Sequence, residues 1–555
     1  MNVLGVTSPV SWNNAAAFVR DGVLVATAEE ERFNRIKQSP RIPPIQAAQY
    51  CIRAAGIDAD EVDAIAVGFQ GPVMYTLKQL WTHLRAGEYR HLAFTVPGGL
   101  EYAMLHVKFR NELLAAEPGL RGKPWVFVPH HLAHAASCYR VSGFDRANVI
   151  TVDGNGEDDS GITAIADGDS IRIVKRRSIA ESLGVYYGNV TELLGFRRHI
   201  DEGKVMGLAA FGDPTYDITG VRVDQMDYSI DRRYNYAKFW QDFPIRRSPE
   251  SDIEDVHKNF AASAQLKLED AGIALARGAH EISGYRQLCL SGGVALNCDM
   301  NARMLSAECV DDIFIQPASH DAGTALGAAL EVAARHGEPS GFVMEHAYWG
   351  PEYSNEEIQA FLDEAKIAYS RPPDIEQAVA ESLAAGDIIG WFQGRMEIGP
   401  RALGGRSILA NPALPEMKDL VNERVKHREG WRPFAPSMLE EEAANLVYDS
   451  HPSPFMLLTF TVRPEWRERL SAAMHIDNTV RSQTVSSKTN PRYHGMISKF
   501  HALTGVPAVL NTSFNDQGEP IVMTPQDAVR CFFSTGLDRL AIGDFLVSKD
   551  RPDIS

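Results

Sequence analysis

The chain has 555 residues, 45% of them hydrophobic and 23% charged, and its formal net charge is −17. This length exceeds what one hydrophobic core supports, so two or more domains are expected. The negative charge argues against binding to nucleic acid or to an anionic membrane surface, because both require clustered Lys and Arg.

Six cysteines are scattered along the chain, and none forms a Cys-x-x-Cys pair. A disulfide framework or a cysteine zinc site is therefore not expected, and a reducing cytoplasm fits this pattern. The first residues read as a strand, without the basic region and apolar run of a signal peptide. No segment reaches the ~18–20 apolar residues of a membrane span. The sequence therefore predicts a soluble, cytoplasmic protein.

A strand–loop–hairpin pattern occurs twice in the first third of the chain. Residues 2–7 read as a buried strand, and residues 15–28 read as a hairpin that turns at Asp21-Gly22. Residues 149–157 and 161–174 repeat this order. The repetition predicts a duplicated α/β core with a nucleotide or metal site between its halves, although hairpins are common enough to recur by coincidence.

Residues 71–120 are rich in large apolar side chains, among them Trp81, Tyr102 and Phe109. The pattern fits a helical insertion that buries its own small core. It also fits a lipophilic lining for an acceptor molecule. The sequence leaves both interpretations open.

Two histidines follow a predicted strand at the start of a predicted helix. His130 and His134 are four positions apart and so share one helical face, a spacing that suits two imidazoles on one metal. His131 points about 100° away and is not expected to be a ligand. A pair of hydrogen-bonded histidines is the alternative interpretation.

Two carboxylates are candidates to complete a metal site. Asp153 stands at the end of a predicted strand before a glycine turn, and Asp321 stands where a loop enters a predicted helix. Two imidazoles with two carboxylates suit a divalent first-row metal better than magnesium.

Two glycine-containing loops resemble phosphate or nucleotide sites. The segment around Lys204 combines glycine, lysine and the start of a predicted helix. Gly292 and Gly293, with Asn297 beyond them, follow a predicted strand and open a helix whose amides and dipole favour an anion. Neither loop matches the Walker pattern, so each is a weak signal by itself.

A stretch containing Gly, Pro and Ser between residues 337 and 353 reads as a linker, which divides the chain into predicted domains 1–345 and 346–555. The second domain contains a basic segment, residues 394–432, with eight Lys and Arg against five acidic residues. Glycines and prolines interrupt it, so its backbone can turn tightly around a ligand. We predict a small anion pocket there; the alternative is a solvated basic face paired with neighbouring acids.

Further donors for a phosphate or carbamoyl group occur later in this domain. Arg481 lies in the segment Arg-Ser-Gln-Thr-Val, and Asn511 and Ser513 follow a predicted strand. Amide and hydroxyl donors beside arginines are suited to orient such a group. An Asn/Ser turn that simply closes the strand is the alternative.

With these residues assembled, the chain resembles the bacterial O-carbamoyltransferases of antibiotic tailoring and nodulation-factor synthesis, in particular the branch with the tobramycin and cephalosporin carbamoyltransferases. The motifs run in family order along nearly the whole chain. They are Ala-Glu-Glu-Glu-Arg (28–32), His-His-Leu-Ala-His-Ala (130–135), Val-Asp-Gly-x-Gly-Glu (152–157), Gly-Lys-x-Met-Gly-Leu-Ala (203–209), Gly-Gly-Val-Ala-Leu-Asn (292–297), Gly-Pro-Arg-Ala-Leu-Gly (399–404), Val-Lys-x-Arg-Glu (425–429), Arg-Pro-Phe-Ala-Pro (432–436), Asn-Pro-Arg-Tyr-His (490–494) and Asn-Thr-Ser-Phe-Asn-x-x-Gly-Glu-Pro-Ile-Val (511–522).

The resemblance implies an α/β protein with an N-terminal duplicated domain of the sugar kinase–actin (ASKHA) type and a C-terminal YrdC-like domain. It implies that the C-terminal domain makes carbamoyl adenylate from carbamoyl phosphate and ATP, with release of pyrophosphate. The N-terminal domain then transfers the carbamoyl group to an acceptor hydroxyl beside an iron(II)-type metal.

Carried onto this sequence, the resemblance implies that His130, His134, Asp153 and Asp321 are metal ligands. It also implies a carbamoyl phosphate and adenylate site formed by Arg401, Lys426, Arg432, Arg481, Asn511 and Ser513.

The chain departs from the family pattern in its first polar loop. Members commonly have a His-Asp pair there, where a general base meets the acceptor, whereas this loop reads Ser11-Trp12-Asn13-Asn14. We therefore predict that Trp12 and Asn13 shape the acceptor pocket, while a carboxylate or the metal assists deprotonation.

The leading hypothesis is an ATP- and metal-dependent carbamoyltransferase acting on a small secondary metabolite, such as an antibiotic or a polyketide glycoside. One alternative is carbamoylation in tRNA or protein maturation, and another is an ATP-binding regulator without activity. The acidic balance argues against RNA, and the intact basic and His/Asp sets argue against the regulator. Expected partners are ATP, carbamoyl phosphate and a small acceptor, and a homodimer is left open.

Overall fold

The computed structural model describes residues 1–86, 89–235, 240, 244–338 and 341–549. The chain divides into two compact units, Met1–Met344 and Glu345–Ser555. None of the helices in the described part of the chain combines the length and apolar character needed to cross a lipid bilayer.

The N-terminal unit alternates strands and helices. Its strands are β1 (Asn2–Val6), β2 (Ala15–Arg20), β3 (Val23–Glu29), β4 (Ala64–Val67), β5 (Trp125–Phe127), β6 (Arg146–Gly156), β7 (Asp159–Asp167), β8 (Ser170–Ser178), β9 (Val221–Val223), β10 (Tyr228–Ile230), β11 (Gln287–Ser291) and β12 (Asp312–Ile315). Its helices are α1 (Glu31–Asn34), α2 (Ile45–Ala54), α3 (Pro72–Ala86), α4 (Tyr89–Ala116), α5 (His130–Tyr139), α6 (Leu183–Leu193), α7 (Glu202–Ala209), α8 (Asp255–Ser283), α9 (Cys298–Leu305) and α10 (Ala322–Arg335).

Two five-stranded sheets in this unit have the same strand order. The first runs β3-β2-β1-β4-β5, and the second runs β8-β7-β6-β11-β12. In each sheet the central strand pairs antiparallel with the first strand of the following hairpin and parallel with one later strand, which in turn pairs parallel with the edge strand. This repetition confirms the duplicated α/β core predicted from the two hairpins, and it is the sugar kinase–actin arrangement that the resemblance implied.

Small residues let the helices of this core lie close to the strands. A Cβ atom on Gly5 of β1 would be 2.0 Å from the carbonyl oxygen of Ala325, and one on Gly327 would be 1.7 Å from that of Ala133. Only glycine permits such contacts, so α10 packs directly against β1 and α5. The start of α10 and the histidine-bearing helix α5 are thereby held in fixed relation.

The segment after β4 is helical, as predicted, and forms α3 and α4. Its buried residues Tyr102, Phe109 and Leu113 join the hydrophobic core of the first sheet instead of forming a separate core. The reason is that α4 presents one apolar side to β4 and β5, while other large apolar residues of both helices remain exposed.

The C-terminal unit is built on a seven-stranded mixed sheet in the order β18-β15-β19-β14-β13-β20-β21. Its strands are β13 (Ile389–Phe392), β14 (Arg406–Ala410), β15 (Ala435–Leu439), β16 (Phe460–Thr461), β17 (Thr479–Val480), β18 (Gln483–Val485), β19 (Ala508–Ser513), β20 (Arg539–Ile542) and β21 (Phe545–Ser548). Its helices are α11 (Asn355–Glu364), α12 (Ile375–Ala385), α13 (Met417–Val421), α14 (Ala443–Leu446), α15 (Pro491–Thr504) and α16 (Pro525–Ser534). The α/β class expected of a YrdC-like domain is therefore confirmed.

The sheet register places two of the predicted anion residues, Asn511 and Ser513, on β19 beside β14. β14 pairs antiparallel with β19, so that Ser407 lies opposite Ser513 and Leu409 lies opposite Asn511. The strand was expected to end before Asn511, but it continues through Ser513 because β14 and β15 pair with it on both sides.

Candidate functional site

Four side chains of the N-terminal unit converge on one point. One donor atom from each of His130, His134, Asp153 and Asp321 lies within 4.8 Å of the others. Oδ2 of Asp153 is 3.3 Å from Nε2 of both histidines, and Oδ1 of Asp321 is 3.8 Å from Nε2 of His130. The two Nε2 atoms are 3.1 Å apart. We call this group the His/Asp cluster; it contains the four residues that the sequence proposed as ligands.

The outward atoms of the cluster are held by other groups. Nδ1 of His134 lies 3.1 Å from the hydroxyl of Ser291. Oδ1 of Asp153 accepts from the backbone N–H groups of Gly154 at 2.7 Å and Gly293 at 3.2 Å. Such outer contacts fix the orientation of potential ligands, so the inner atoms face one another.

The donor set suits a divalent cation. Two buried imidazoles and two carboxylates supply nitrogen and oxygen ligands, and the spacing of their atoms fits an ion ~2.0–2.2 Å from each. Burial lowers the pKa of His130, but the hydrogen bond to Asp153 and the charge of Asp321 outweigh it and raise the pKa to about 9. The cluster therefore attracts positive charge strongly.

His131 lies outside the cluster, in agreement with its predicted orientation. Its Nδ1 is 3.0 Å from the hydroxyl of Thr151, and its Nε2 is 3.0 Å from the carbonyl of Asp159. Burial, followed by the neighbouring histidines, lowers its pKa to about 3, so its ring is a neutral hydrogen-bonding group.

The predicted glycine loop adjoins the cluster. Gly292 has φ +95°, and a Cβ atom there would be 2.3 Å from the carbonyl oxygen of Val152, so the loop lies against the end of β6. A short 3-10 turn, Gly293–Leu296, intervenes before α9. Asn297 caps α9 by accepting from the N–H of Met300 at 3.0 Å. The sequence predicted that the helix begins at the glycines. In the structure it begins after Asn297 instead.

Lys204 lies in α7, and its ammonium contacts groups of its own segment. Nζ is 3.6 Å from Oδ1 of Asp201 and 5.4 Å from the centre of the Phe196 ring. The structure thus gives Lys204 a local carboxylate partner, and a nucleotide role for it stays a prediction.

The first polar loop borders the His/Asp cluster. The indole of Trp12 is 48% exposed and stacks on the His199 ring, with centroids 4.9 Å apart. The backbone N–H of Trp12 donates to Oδ2 of Asp321 at 3.0 Å. Asn13, beside it, is half-buried. An aromatic surface therefore stands at the edge of the cluster, where the sequence expected the acceptor.

In the C-terminal unit, Lys426 and Ser513 are brought together. The Nζ atom of Lys426 donates to the Ser513 hydroxyl at 3.3 Å and to the Asn515 side chain and carbonyl at 2.8 and 2.9 Å. Lys426 is buried and ends a π-helical turn, Asn422–Lys426. Asn515 was not among the predicted site residues, although the motif Asn-Thr-Ser-Phe-Asn contains it.

Asn511 positions the loop that carries Arg401. Its Nδ2 donates to the carbonyl of Ala402 at 3.0 Å and to the hydroxyl of Ser437 at 2.9 Å. The carboxylate of Glu397 accepts from the backbone N–H of Leu403 at 2.7 Å and from two further amides of the same loop. The backbone around the half-buried Arg401 is therefore fixed from two directions.

Arg428, Arg432 and Arg481 form a group of neighbouring cations. Burial, and then the charges of Arg432 and Arg481, lower the pKa of Arg428 to about 9. The guanidinium of Arg428 also stacks over Phe434, 4.3 Å from the ring centre. Arg428 was not assigned to the site from sequence. Its place in Val-Lys-x-Arg-Glu was the available signal.

Not every arginine of the basic segment is available for a ligand. Arg406 is fully buried, and its guanidinium donates to the backbone carbonyls of Gln393, Gly394, Gly405 and Pro351. It therefore supports the loop before β14. Arg428 donates to Oδ1 of Asn422 at 2.9 Å and Arg432 lies 3.8 Å from Glu429, and binding of an anion by Arg432 and Arg481 stays a prediction.

Two family models together match most of the chain. "Carbamoyltransferase N-terminus" matches residues 2–330, and "Carbamoyltransferase C-terminus" matches residues 380–549. Nodulation protein NolNO of Sinorhizobium fredii is 38% identical over 99% of this chain and 80% of its own length. The uncharacterized protein sll1178 of Synechocystis is 37% identical over 99% of this chain and 97% of its own length.

Nodulation protein NolO of Bradyrhizobium diazoefficiens is 40% identical over 76% of this chain and 79% of its own length. Among solved structures, T. kodakarensis HypF is 14% identical with a TM-score of 0.36, covering 60% of this chain and 48% of its own. That structural likeness is too distant to support a functional conclusion. The family models and the sequence relatives agree with each other, and the chain belongs to the carbamoyltransferase family of transferases.

Proposed function

We propose that this protein is an ATP-dependent O-carbamoyltransferase that makes carbamoyl adenylate from carbamoyl phosphate and transfers its carbamoyl group to a hydroxyl of a small secondary metabolite. An antibiotic or polyketide glycoside is the proposed class of acceptor. The observation that carries the proposal is the convergence of His130, His134, Asp153 and Asp321 in a chain of the carbamoyltransferase family.

The C-terminal unit is proposed to form the adenylate. Arg428, Arg432 and Arg481 concentrate positive charge that an anion would neutralise, and guanidinium groups bind phosphate oxygens bidentately. Water would first convert carbamoyl phosphate to carbamate and phosphate. A carbamate oxygen would then attack the α-phosphorus of ATP and displace pyrophosphate, so a preorganised set of cations would stabilise both departing anions. Arg401 would add a further guanidinium from its fixed loop, and Lys426 would hold the Ser513–Asn515 turn.

The N-terminal unit is proposed to carry out the transfer. His130, His134, Asp153 and Asp321 would hold a divalent cation, of the iron(II) type by family resemblance, which supplies Lewis-acid polarisation when bound. The backbone N–H of Gly293 donates to Oδ1 of Asp153 and would orient this ligand, and nucleotide binding by the Gly292-Gly293 loop stays a prediction.

The acceptor is proposed to bind beside Trp12 and Asn13. Its hydroxyl oxygen attacks the carbamoyl carbon, the bond to the phosphate oxygen breaks, and AMP leaves. The first polar loop has tryptophan where the family commonly has histidine, so we assign deprotonation of the hydroxyl to a carboxylate near the cluster.

The proposal is tested by incubating the protein with ATP, carbamoyl phosphate, ferrous iron and candidate acceptors. We expect pyrophosphate release that requires carbamoyl phosphate, and an acceptor whose mass increases by one carbamoyl group. An arm with tRNA as acceptor separates this function from nucleic-acid carbamoylation. Pyrophosphate release that is independent of carbamoyl phosphate would contradict the adenylate step.

A further inference from the structure

The hairpin of α3 and α4 exposes large apolar side chains along both helices. Their exposed fractions range from 46% for Val96 to 75% for Val73. We call this set the hairpin face, which consists of Val73, Met74, Leu77, Trp81, Leu84, Val96, Leu100, Met104 and Val107.

The spacing of these residues makes them one continuous surface. Leu100, Met104 and Val107 are four and three positions apart, which is one stripe of an α-helix, and the residues of α3 follow a similar spacing. A Cβ atom on Gly99 would be 2.0 Å from the hydroxyl oxygen of Thr76, so the two helices touch and their stripes adjoin. Tyr102 lies on the side of α4 that packs on the first sheet.

The hairpin face is large enough for a stable protein interface. Its side chains expose on the order of 1,000 Å², above the ~300–600 Å² of the largest apolar patch on a typical monomer and similar to the ~800 Å² that each partner gives to a standard interface. Leu100, Met104 and Val107 also border an open, shallow depression along one face of α4. A partner helix could pack its apolar side chains against this face.

The acidic charge of the chain does not exclude a second copy of this chain as the partner at the hairpin. The whole chain has a net charge of −17, so two copies repel over most of their surface. The residues of α3 and α4 carry five Lys and Arg against two Glu, so this segment does not share the acidic balance of the whole chain.

The charges beside the α4 stripe are also self-complementary. Glu101 and Lys108 stand on either side of Met104 along the helix and are 58% and 68% exposed. Within one chain, Glu101 lies 3.5 Å from Arg41 and Lys108 lies 3.8 Å from Glu112, both as exposed ion pairs that can exchange partners. A two-fold axis that passes beside α4 near Met104, perpendicular to the helix, sets this helix antiparallel to its copy. Glu101 of each chain then approaches Lys108 of the other, twice in the interface.

We propose that two copies of this chain associate through the hairpin face, with the two-fold axis near Met104. The α3 and α4 helices of both copies then form a four-helix interface that buries the apolar stripes. This association concerns a surface away from the His/Asp cluster residues and is independent of the proposed function.

The first test measures the mass of the full chain in solution by light scattering at micromolar concentration. We expect twice the 61.2 kDa of one chain. Met104→Glu should raise the dimer dissociation constant at least about tenfold, because it buries a charge at the centre of the interface. Its helix content and melting temperature should stay unchanged, since the side chain is 67% exposed. The matched control is Ile282→Glu, 55% exposed in α8 of the same unit, which should remain dimeric.

A charge exchange tests the two-fold arrangement. Lys108→Glu should weaken the dimer, and adding Glu101→Lys to the same chain should restore it, with the difference decreasing at high salt. A wild-type chain with the mass of one copy would overturn the proposal. This holds also if the monomeric chain binds to anionic phospholipid vesicles in a flotation assay, which would identify the hairpin face as a membrane contact. A dimer that persists in the Leu77→Glu, Met104→Glu double variant would overturn it as well.

Discussion

The backbone N–H of Trp12 donates a 3.0 Å hydrogen bond to Oδ2 of Asp321, whose other oxygen lies 3.8 Å from Nε2 of His130. A residue near the start of the chain thus orients a carboxylate that is 309 positions away in sequence. The loop with the exposed indole and the His/Asp cluster therefore form one local structure. This contact gives the proposed acceptor loop a direct influence on the proposed metal ligand.

Trp12→Ala tests whether this loop binds the acceptor. The substitution removes the indole but keeps the backbone N–H that holds Asp321, so metal affinity should change little. We expect the acceptor KM to rise about tenfold or more, because an aromatic surface that the acceptor contacts is lost. Steady-state kinetics with Trp12→Phe as the conservative variant should recover part of the loss. Unchanged KM and kcat in Trp12→Ala would place the acceptor elsewhere.

Gly156→Ala tests whether the position of the His130 ring controls metal binding. A Cβ atom on Gly156 would be 2.0 Å from Cδ2 of His130, so the ring must move away from the cluster. We expect metal affinity, measured by calorimetry, to fall by about 10–100-fold. Gly154→Ala is the matched control, because a Cβ atom there meets no other atom within 4 Å. Equal affinities in the two variants would contradict the assignment of His130.

His134→Ala and Arg481→Ala should separate the two half-reactions. His134 belongs to the cluster in the N-terminal unit, so its loss should stop carbamoyl transfer and leave pyrophosphate release intact. Arg481 belongs to the three-arginine group, so its loss should reduce pyrophosphate release by about a hundredfold or more, because a transition-state cation is removed. Pyrophosphate release and product mass are measured in parallel, with Arg530→Ala as an exposed arginine control.

A result in which His134→Ala abolishes pyrophosphate release would show that the cluster acts in adenylate formation. If Arg481→Ala lost carbamoyl transfer but kept pyrophosphate release, the assignment of adenylate formation to the C-terminal unit would be wrong.

The periodic features of the sequence predicted much of the N-terminal site. The four-residue spacing of His130 and His134 predicted their shared helical face, and Asp321 precedes a helix as predicted. Asp153 was predicted at a strand end, whereas β6 continues to Gly156. Helical spacing and the ends of strands and helices can be recognised in a sequence, so the positions of these four side chains could be predicted once the fold class was known. The contact between Trp12 and Asp321 could not be predicted, because it depends on the packing of α10 against β1.

The basic segment shows where sequence reasoning stops. Its arginines cannot be told apart from the sequence, but in the structure they differ in burial and in the groups that they contact. Arg406 is fully enclosed by backbone carbonyls, while Arg428 lies beside Arg432 and Arg481. Asn511 was expected in a loop but lies within β19, where its amide supports another loop. These distinctions arise from the sheet register, which composition does not encode.

Glu30 supplies a pH-dependent prediction for stability. Its carboxylate is 2% exposed and accepts from the N–H groups of Ala47 at 2.8 Å and Gln46 at 3.3 Å, in the first turn of α2. Burial raises the pKa of Glu30 from 4.5 to about 7, and the hydrogen bonds only partly offset this effect. The folded chain therefore keeps a proton that the unfolded chain releases between these two values.

Because the folded state binds more protons in this window, the free energy of unfolding should fall as the pH rises from 4.5 to about 7. The loss attributable to Glu30 is on the order of 3 kcal/mol and is complete above the folded pKa. Glu30→Gln keeps an acceptor for α2 without titrating, so its stability relative to the wild type should increase across the window. Urea unfolding at about pH 5 and about pH 8 measures this difference. Glu356→Gln, at an exposed position in α11, should show no such change. If the difference between Glu30→Gln and wild type is the same at both pH values, the Glu30 carboxyl does not hold its proton in the folded chain.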